Sequence, residues 1–135
     1  MAERRVLITG ATGKVGQAFL RRFLADEAWS DATIRALCHN RVVDSSDRIE
    51  VVRGSISDRS VVADAVEGVT HVVHLATCKE TPDDVMDVAV KGMFWLLEEC
   101  RVSPSFEQFV LIGGDAGMGH FVYPHPVPVV ETQKH

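Results

Sequence analysis

The chain has 135 residues, 46% hydrophobic and 24% charged, with a formal net charge of -5, the size and composition of one globular domain with one core. The acidic balance and the scatter of its Lys and Arg argue against a nucleic-acid partner, which needs clustered basic residues. Cys38, Cys78 and Cys100 lack both the CxxC spacing of a zinc site and the even count of a disulfide framework, so a reducing, cytoplasmic setting is expected. Only Val6-Leu7-Ile8 precede Thr9-Gly10 as an apolar run, too few for a signal peptide. No run of about 18 apolar residues follows, so no membrane segment is expected.

In chain order, Arg5-Val6-Leu7-Ile8-Thr9 is a short apolar run stopped by glycine, the pattern of a strand buried on both faces. Gly10, Gly13 and Gly16 follow, and then Ala18, Phe19, Leu20, Phe23 and Leu24 recur at helical spacing. Residues 33–38 and 49–53 read as the second and third strands, with a polar loop between. Asp58 is a candidate N-cap for a helix over 59–66, ended by Gly68. Residues 69–76 hold Val72, Val73 and Leu75 and read as a fourth strand. Pro82-Asp83-Asp84 opens a long helix limited by Pro104, and 109–112 is the fifth strand, closed by Gly113-Gly114.

Strands alternating with helices predict right-handed parallel βαβ units, hence an α/β doubly wound parallel sheet of about five strands. Residues 1–115 form the predicted domain. Residues 116–135, punctuated by Pro124, Pro126 and Pro128, read as an irregular Pro/His-rich tail without a sixth βα unit.

The glycine turn lies between a buried strand and a helix start, where a dinucleotide's pyrophosphate is held. Gly10 permits the tight turn, Gly13 allows close backbone approach to the anion, and Gly16 lets the helix pack on the strand. Free amides and the helix dipole favour negative charge there. Gly10, Thr12, Gly13, Lys14, Val15 and Gly16 are therefore the candidate phosphate-binding residues. A carboxylate that would bond the ribose 2′-hydroxyl of NAD is expected about 20 residues on. Cys38, His39, Asn40 and Arg41 stand there instead. Either His39 and Arg41 pair with a 2′-phosphate, which prefers NADP over NAD, or they are solvated loop residues.

The segment Thr9-Gly10-Ala-Thr-Gly13-Lys-Val-Gly16 resembles the cofactor turn of the extended and atypical short-chain dehydrogenases/reductases, the NAD-dependent epimerase/dehydratase group. His74-Leu75-Ala76-Thr77 is similar to that family's H-x-A-A segment, Val90-Lys91-Gly92 with Leu96-Leu97-Glu98 to its N-V-x-G-T-x-x-L-L-E helix, and residues 108–112 to its fifth strand. The resemblance implies an NAD(P)-binding Rossmann fold. It also implies contacts from Ser55 and Ile56 on the adenine side and from Leu75, Ala76 and Thr77 on the nicotinamide-ribose side, where Lys79 either joins them or is a solvated loop lysine.

Departures from the family pattern are specific. Gly54-Ser55-Ile56 replaces Gly-Asp-(Ile/Leu), Ala89 replaces the helix asparagine, and Gly114 stands at the catalytic Ser/Thr position. The acid/base pair Y-x-x-x-K is absent, because Val127 stands four residues after Tyr123, the only tyrosine. Val130-Glu131-Thr132 resembles the segment that precedes this pair in relatives. The resemblance thus implies a truncated chain whose later family segments lie beyond His135, and no catalytic residue is assigned.

Two functions follow as expectations. One is the NAD(P)-binding portion of an oxidoreductase or epimerase/dehydratase-like protein that transfers hydride to or from an alcohol, ketone or sugar-nucleotide substrate. The other is a nucleotide-binding sensor or NmrA-like regulator without turnover. His71 and His74, three apart on a strand, should point to opposite faces and bind no metal, while His120 and His125 read as loop residues. Cys100 reads as a buried thiol, and the apolar 83–102 helix as a possible homodimer face.

Overall fold

The computed structural model describes residues 3–78, 81–114, 124 and 130. Five strands, β1 (Arg5–Thr9), β2 (Thr33–Cys38), β3 (Ile49–Arg53), β4 (His71–His74) and β5 (Gln108–Leu111), form one sheet. Every pairing is parallel, and the order is β3-β2-β1-β4-β5. The chain works outward from β1 to β3 on one side and then crosses to β4 and β5 on the other. The topological switch therefore lies between β1 and β4, where open α/β sheets leave a crevice at the strands' carboxyl ends. The tail over 116–135, apart from residues 124 and 130, lies outside the described residues.

Side-chain alternation along the central strand divides the core in two. Val6 and Ile8 join Leu20 and Phe23 of helix α1 (Lys14–Ala25), together with Ile34, Ala36 and Val73. Leu7 faces the other way, into a core with Val62 and Val66 of helix α2 (Arg59–Val66) and with Val72, Leu96 and Cys100. A strand between two apolar layers has no solvent face, which is why β1 reads as a continuous apolar run.

Asp58 caps α2, its side chain accepting from the Ser60 amide at 2.9 Å and the Ser60 hydroxyl at 2.7 Å. Those hydrogen bonds hold the Asp58 carboxyl below its ordinary range. The other end of α2 is closed from the sheet. The buried Arg35 of β2 donates through one guanidinium nitrogen to the carbonyls of Asp64, Ala65 and Glu67, at 3.2, 3.0 and 2.7 Å, and pairs through Nε with Glu50 at 2.9 Å. It satisfies carbonyls that a helix end leaves without partners.

The long helix expected after Pro82 is present but not uniform. A first turn, α3 (Pro82–Asp84), is capped by Thr81 and leads into a π-helical stretch, Val85–Gly92, before regular winding resumes in α4 (Met93–Val102). Nothing in the apolar spacing marks that change of winding. A 3-10 turn at Glu27–Trp29, capped by the Asp26 carboxylate, was also not expected. β4 is shorter than the 69–76 expected and β5 begins one residue before the 109–112 expected. Beside the start of β1, the Thr70 amide donates to the Arg5 carbonyl, and the Thr70 hydroxyl accepts from the Arg5 amide and donates to the same carbonyl.

Candidate cofactor cleft

A cleft of about 320 Å³ opens at the carboxyl ends of β1, β2, β3 and β4, around the glycine turn. Gly10 has φ +72°, and a Cβ there would lie 2.6 Å from the Leu75 carbonyl carbon and 2.7 Å from the Ala76 nitrogen. No side chain fits, so β1 and β4 can exit together only over glycine. A Cβ on Gly16 would lie 2.2 Å from the Gly10 oxygen, so the first turn of α1 rests directly on the preceding loop. Gly13 differs from both. Its added Cβ would meet the protein only at 3.4 Å, an ordinary contact. The space that Gly13 keeps free is cleft rather than core.

Gly13 is also the N-cap of α1. It has no side chain to bond the first-turn amides, and no acidic residue lies in that turn. The amide donors and the positive end of the dipole therefore face the cleft without a competing carboxylate, which suits an anion such as a pyrophosphate.

Of the candidate residues, Gly10, Thr12, Gly13, His39, Arg41, Ser55, Ile56, Leu75, Ala76 and Thr77 line the cleft. Lys14 is exposed at the start of α1, and Gly16 is buried beneath the turn rather than on the cleft wall. Val15 is 66% exposed and lines a different, apolar groove beside β4 and β5, because helical rotation carries it away from the glycine loop. Lys79 lies outside the described residues.

Thr9, Leu37, Cys38, Asn40, Gly54 and Val88 also line the cleft without having been singled out as binding residues. These are chain neighbours of motif positions and could have been found by extending the motifs. Val88 comes from the π-helical stretch and directly precedes Ala89, the first position of the helix motif.

The cleft's charge is one-sided. His39 and Arg41 stand at the end of β2, and no Asp or Glu is among the described lining residues. Ser55 takes the place of a carboxylate after β3, its hydroxyl 2.8 Å from that of Ser57 and accepting the Ser57 amide at 3.2 Å. On the opposite wall, Thr9 Oγ1 lies 2.7 Å from His74 Nδ1, and the Ala76 amide donates to the same hydroxyl at 3.2 Å. Burial lowers the pKa of His74 and favours the neutral ring.

His71 and His74 point to opposite faces of β4. His71 stacks edge-on against Trp29 at 5.4 Å between ring centres, whereas His74 lies 6.2 Å from Phe109. Among the described residues, no group of three or more His, Cys, Asp or Glu is placed to hold a metal ion. Cys100 is buried, and desolvation together with the Glu99 charge pushes its thiol up to about 11, which makes it an inert core thiol. Gly114, which the resemblance aligns with a catalytic hydroxyl, is exposed, and a Cβ there would meet none of the described residues within 4 Å. Among the described residues, no helix is long and apolar enough to cross a membrane.

The comparisons agree with this geometry. The profile of the NAD dependent epimerase/dehydratase family matches residues 6–132. The NAD-dependent glucose-6-phosphate dehydrogenase of Haloferax volcanii is 36% identical over 122 residues, covering 88% of this chain and 46% of that protein. A short-chain dehydrogenase/reductase superfamily protein from Agrobacterium tumefaciens, solved with bound NAD, superposes with a TM-score of 0.74 at 27% identity, over 97% of this chain and 38% of that one. The Bordetella bronchiseptica enzyme WbmH, solved with NAD+, shares the fold with a TM-score of 0.75 at 20% identity, over 97% of this chain and 45% of that one. The chain thus spans less than half the length of these relatives. With its glycine turn, its parallel sheet and the match over 6–132, the chain belongs to the NAD dependent epimerase/dehydratase family.

Proposed function

We propose that this chain is the dinucleotide-binding portion of an oxidoreductase or epimerase/dehydratase-like protein that moves hydride to or from an alcohol, ketone or sugar-nucleotide substrate. The observation that carries the reading is the cleft itself, built around a glycine turn whose middle glycine faces open space. The dinucleotide supplies the hydride chemistry, and the residues of this chain bind and orient it. The first-turn amides of α1 would hold the pyrophosphate, the β2 and β3 ends the adenosine half, and residues 75–77, followed by Lys79, the nicotinamide half.

His39 and Arg41, with no carboxylate among the described lining residues, favour NADP over NAD. The relatives named above are described with NAD, so the preference is a property proposed for this chain's own β2 end. Titration with NADPH and NADH tests it. Tighter NADPH binding is expected, tighter NADH binding overturns the preference, and binding of neither overturns the cofactor reading.

A second reading, nucleotide sensing without turnover, is favoured by Gly114, which offers no hydroxyl to a substrate carbonyl. With no Y-x-x-x-K pair in its 135 residues, the polypeptide is expected to bind cofactor without dehydrogenase turnover. NADPH consumption above that of a Gly13→Ala control would refute this. Met86, Val90, Phe94 and Leu97 are about half exposed along the 83–102 helix, which supports homodimer formation there. Light scattering of wild type and Phe94→Lys tests that pairing.

A further inference from the structure

Thr9 and His74 are the last residues of β1 and β4, paired in register, and only 1% and 6% exposed. Beyond them the ladder ends, and the backbone of residues 75–77 becomes the wall of the cleft. Thr9 holds that exit twice. Its carbonyl accepts the Leu75 amide at 3.1 Å, and its hydroxyl accepts the Ala76 amide at 3.2 Å.

A threonine hydroxyl has one proton to donate and turns about its C–O bond to suit its partners. The Ala76 amide takes one lone pair; if the proton goes to His74 Nδ1, 2.7 Å away, the ring hydrogen lies on Nε2. The imidazole is then a buried acceptor that holds the hydroxyl in the orientation the Ala76 amide needs. Phe109 of β5 lies beside the ring, and a backbone passing Gly10 too closely for any Cβ fixes the same exit from below.

This inference rests on the cofactor reading. A dinucleotide with its pyrophosphate at the glycine turn sends one half toward the β2 and β3 ends and the other along residues 75–77. We infer that Thr9 and His74 are positioning residues: their hydroxyl–imidazole pair sets the 75–77 wall and thereby controls binding of the nicotinamide half, while the adenosine half is indifferent to it.

The test compares four ligands, NADPH and NADH beside their adenosine halves 2′,5′-ADP and ADP, on wild type, Thr9→Val and Thr9→Ser. Valine keeps the branched shape but strands both Nδ1 and the Ala76 amide. It is expected to weaken the preferred dinucleotide about tenfold and its adenosine half less than about twofold. Serine, which restores the hydroxyl, should return the dinucleotide to within about twofold of wild type. Equal loss of both ligands in Thr9→Val, loss of neither, or failure of serine to restore binding overturns the inference. Nitrogen-resolved NMR of the unliganded wild type gives a readout that does not depend on any variant folding. The expected ring hydrogen on Nε2 supports the pair, and a hydrogen on Nδ1 overturns it. Wild-type binding of none of the four ligands removes the cofactor reading and this inference with it, whereas wild-type binding with an unaffected Thr9→Val removes the inference alone.

Discussion

β1 and β5 are written in similar letters and live in different surroundings. Both are short apolar runs followed by glycines, Val6-Leu7-Ile8 before Gly10 and Phe109-Val110-Leu111-Ile112 before Gly113. In β1 the apolar residues are at most 2% exposed, whereas Val110, Leu111 and Ile112 are 36%, 55% and 58% exposed. The following glycines diverge in the same way. A Cβ on Gly10 or Gly16 collides with backbone, and one on Gly113 or Gly114 meets none of the described residues within 4 Å. Val110 and Ile112 open onto a groove of about 710 Å³, which they share with Phe19, Trp29 and Val73. The lesson is that an apolar run states a strand's need for cover. Its position in the sheet decides whether the need is met.

The contrast can be broken or sharpened by mutation. The largest effect is expected for Leu7→Ala, about 2 to 5 kcal/mol of lost stability in denaturant unfolding, because the side chain is completely buried. Leu111→Ala should cost less than about 0.5 kcal/mol, and a comparable loss at both sites would show that β5 is covered in solution. Gly16→Ala comes next, at about 1 to 3 kcal/mol or more, since backbone must move to admit the methyl group. Gly13→Ala, whose methyl group finds room, should keep its melting temperature and lose dinucleotide binding; a stable variant that still binds would contradict the assignment of that space.

A smaller effect is expected from pH. His74 stands between the two strands, bonded to Thr9 of β1 and beside Phe109 of β5, and burial lowers its pKa below the ordinary 6.5. From 6.5 down to that native value, the unfolded chain binds a proton that the native state does not. Stability is therefore fully present above 6.5 and declines as the pH falls through this window. His74→Phe should flatten that part of the stability profile, and an unchanged slope would assign it to other groups. The smallest effect is predicted for Gly114→Ser, within about 0.5 kcal/mol of wild type by thermal unfolding, because a Cβ there meets none of the described residues.

Much of the fold was legible because its signals are local. A glycine that permits positive φ, as at Gly10, or a carboxylate that caps a helix, as at Asp58, acts within a few residues, and the strand over 33–38 matched its expected bounds. The candidate site was legible only in part. The glycine turn and residues 75–77 announced themselves, but Val15 left the cleft through helical rotation, and Val88 entered it from a helix whose apolar spacing reads as core. Arg35 looked like a strand residue, and its role as the closure of α2 requires β2 and α2 to be brought together first.

The sequence by itself determined the alternation of strands and helices, the glycine turn, and the absence of a carboxylate at the end of β2. Hydrogen-bonding capacity, side-chain period and backbone freedom are properties of neighbouring residues, so these features need no tertiary partner. Only the tertiary structure decided the order β3-β2-β1-β4-β5, the pairing of Thr9 with His74, and the contrast between a buried β1 and an exposed β5. Those depend on which distant segments come to lie side by side, and burial is a property of the neighbours as much as of the residue.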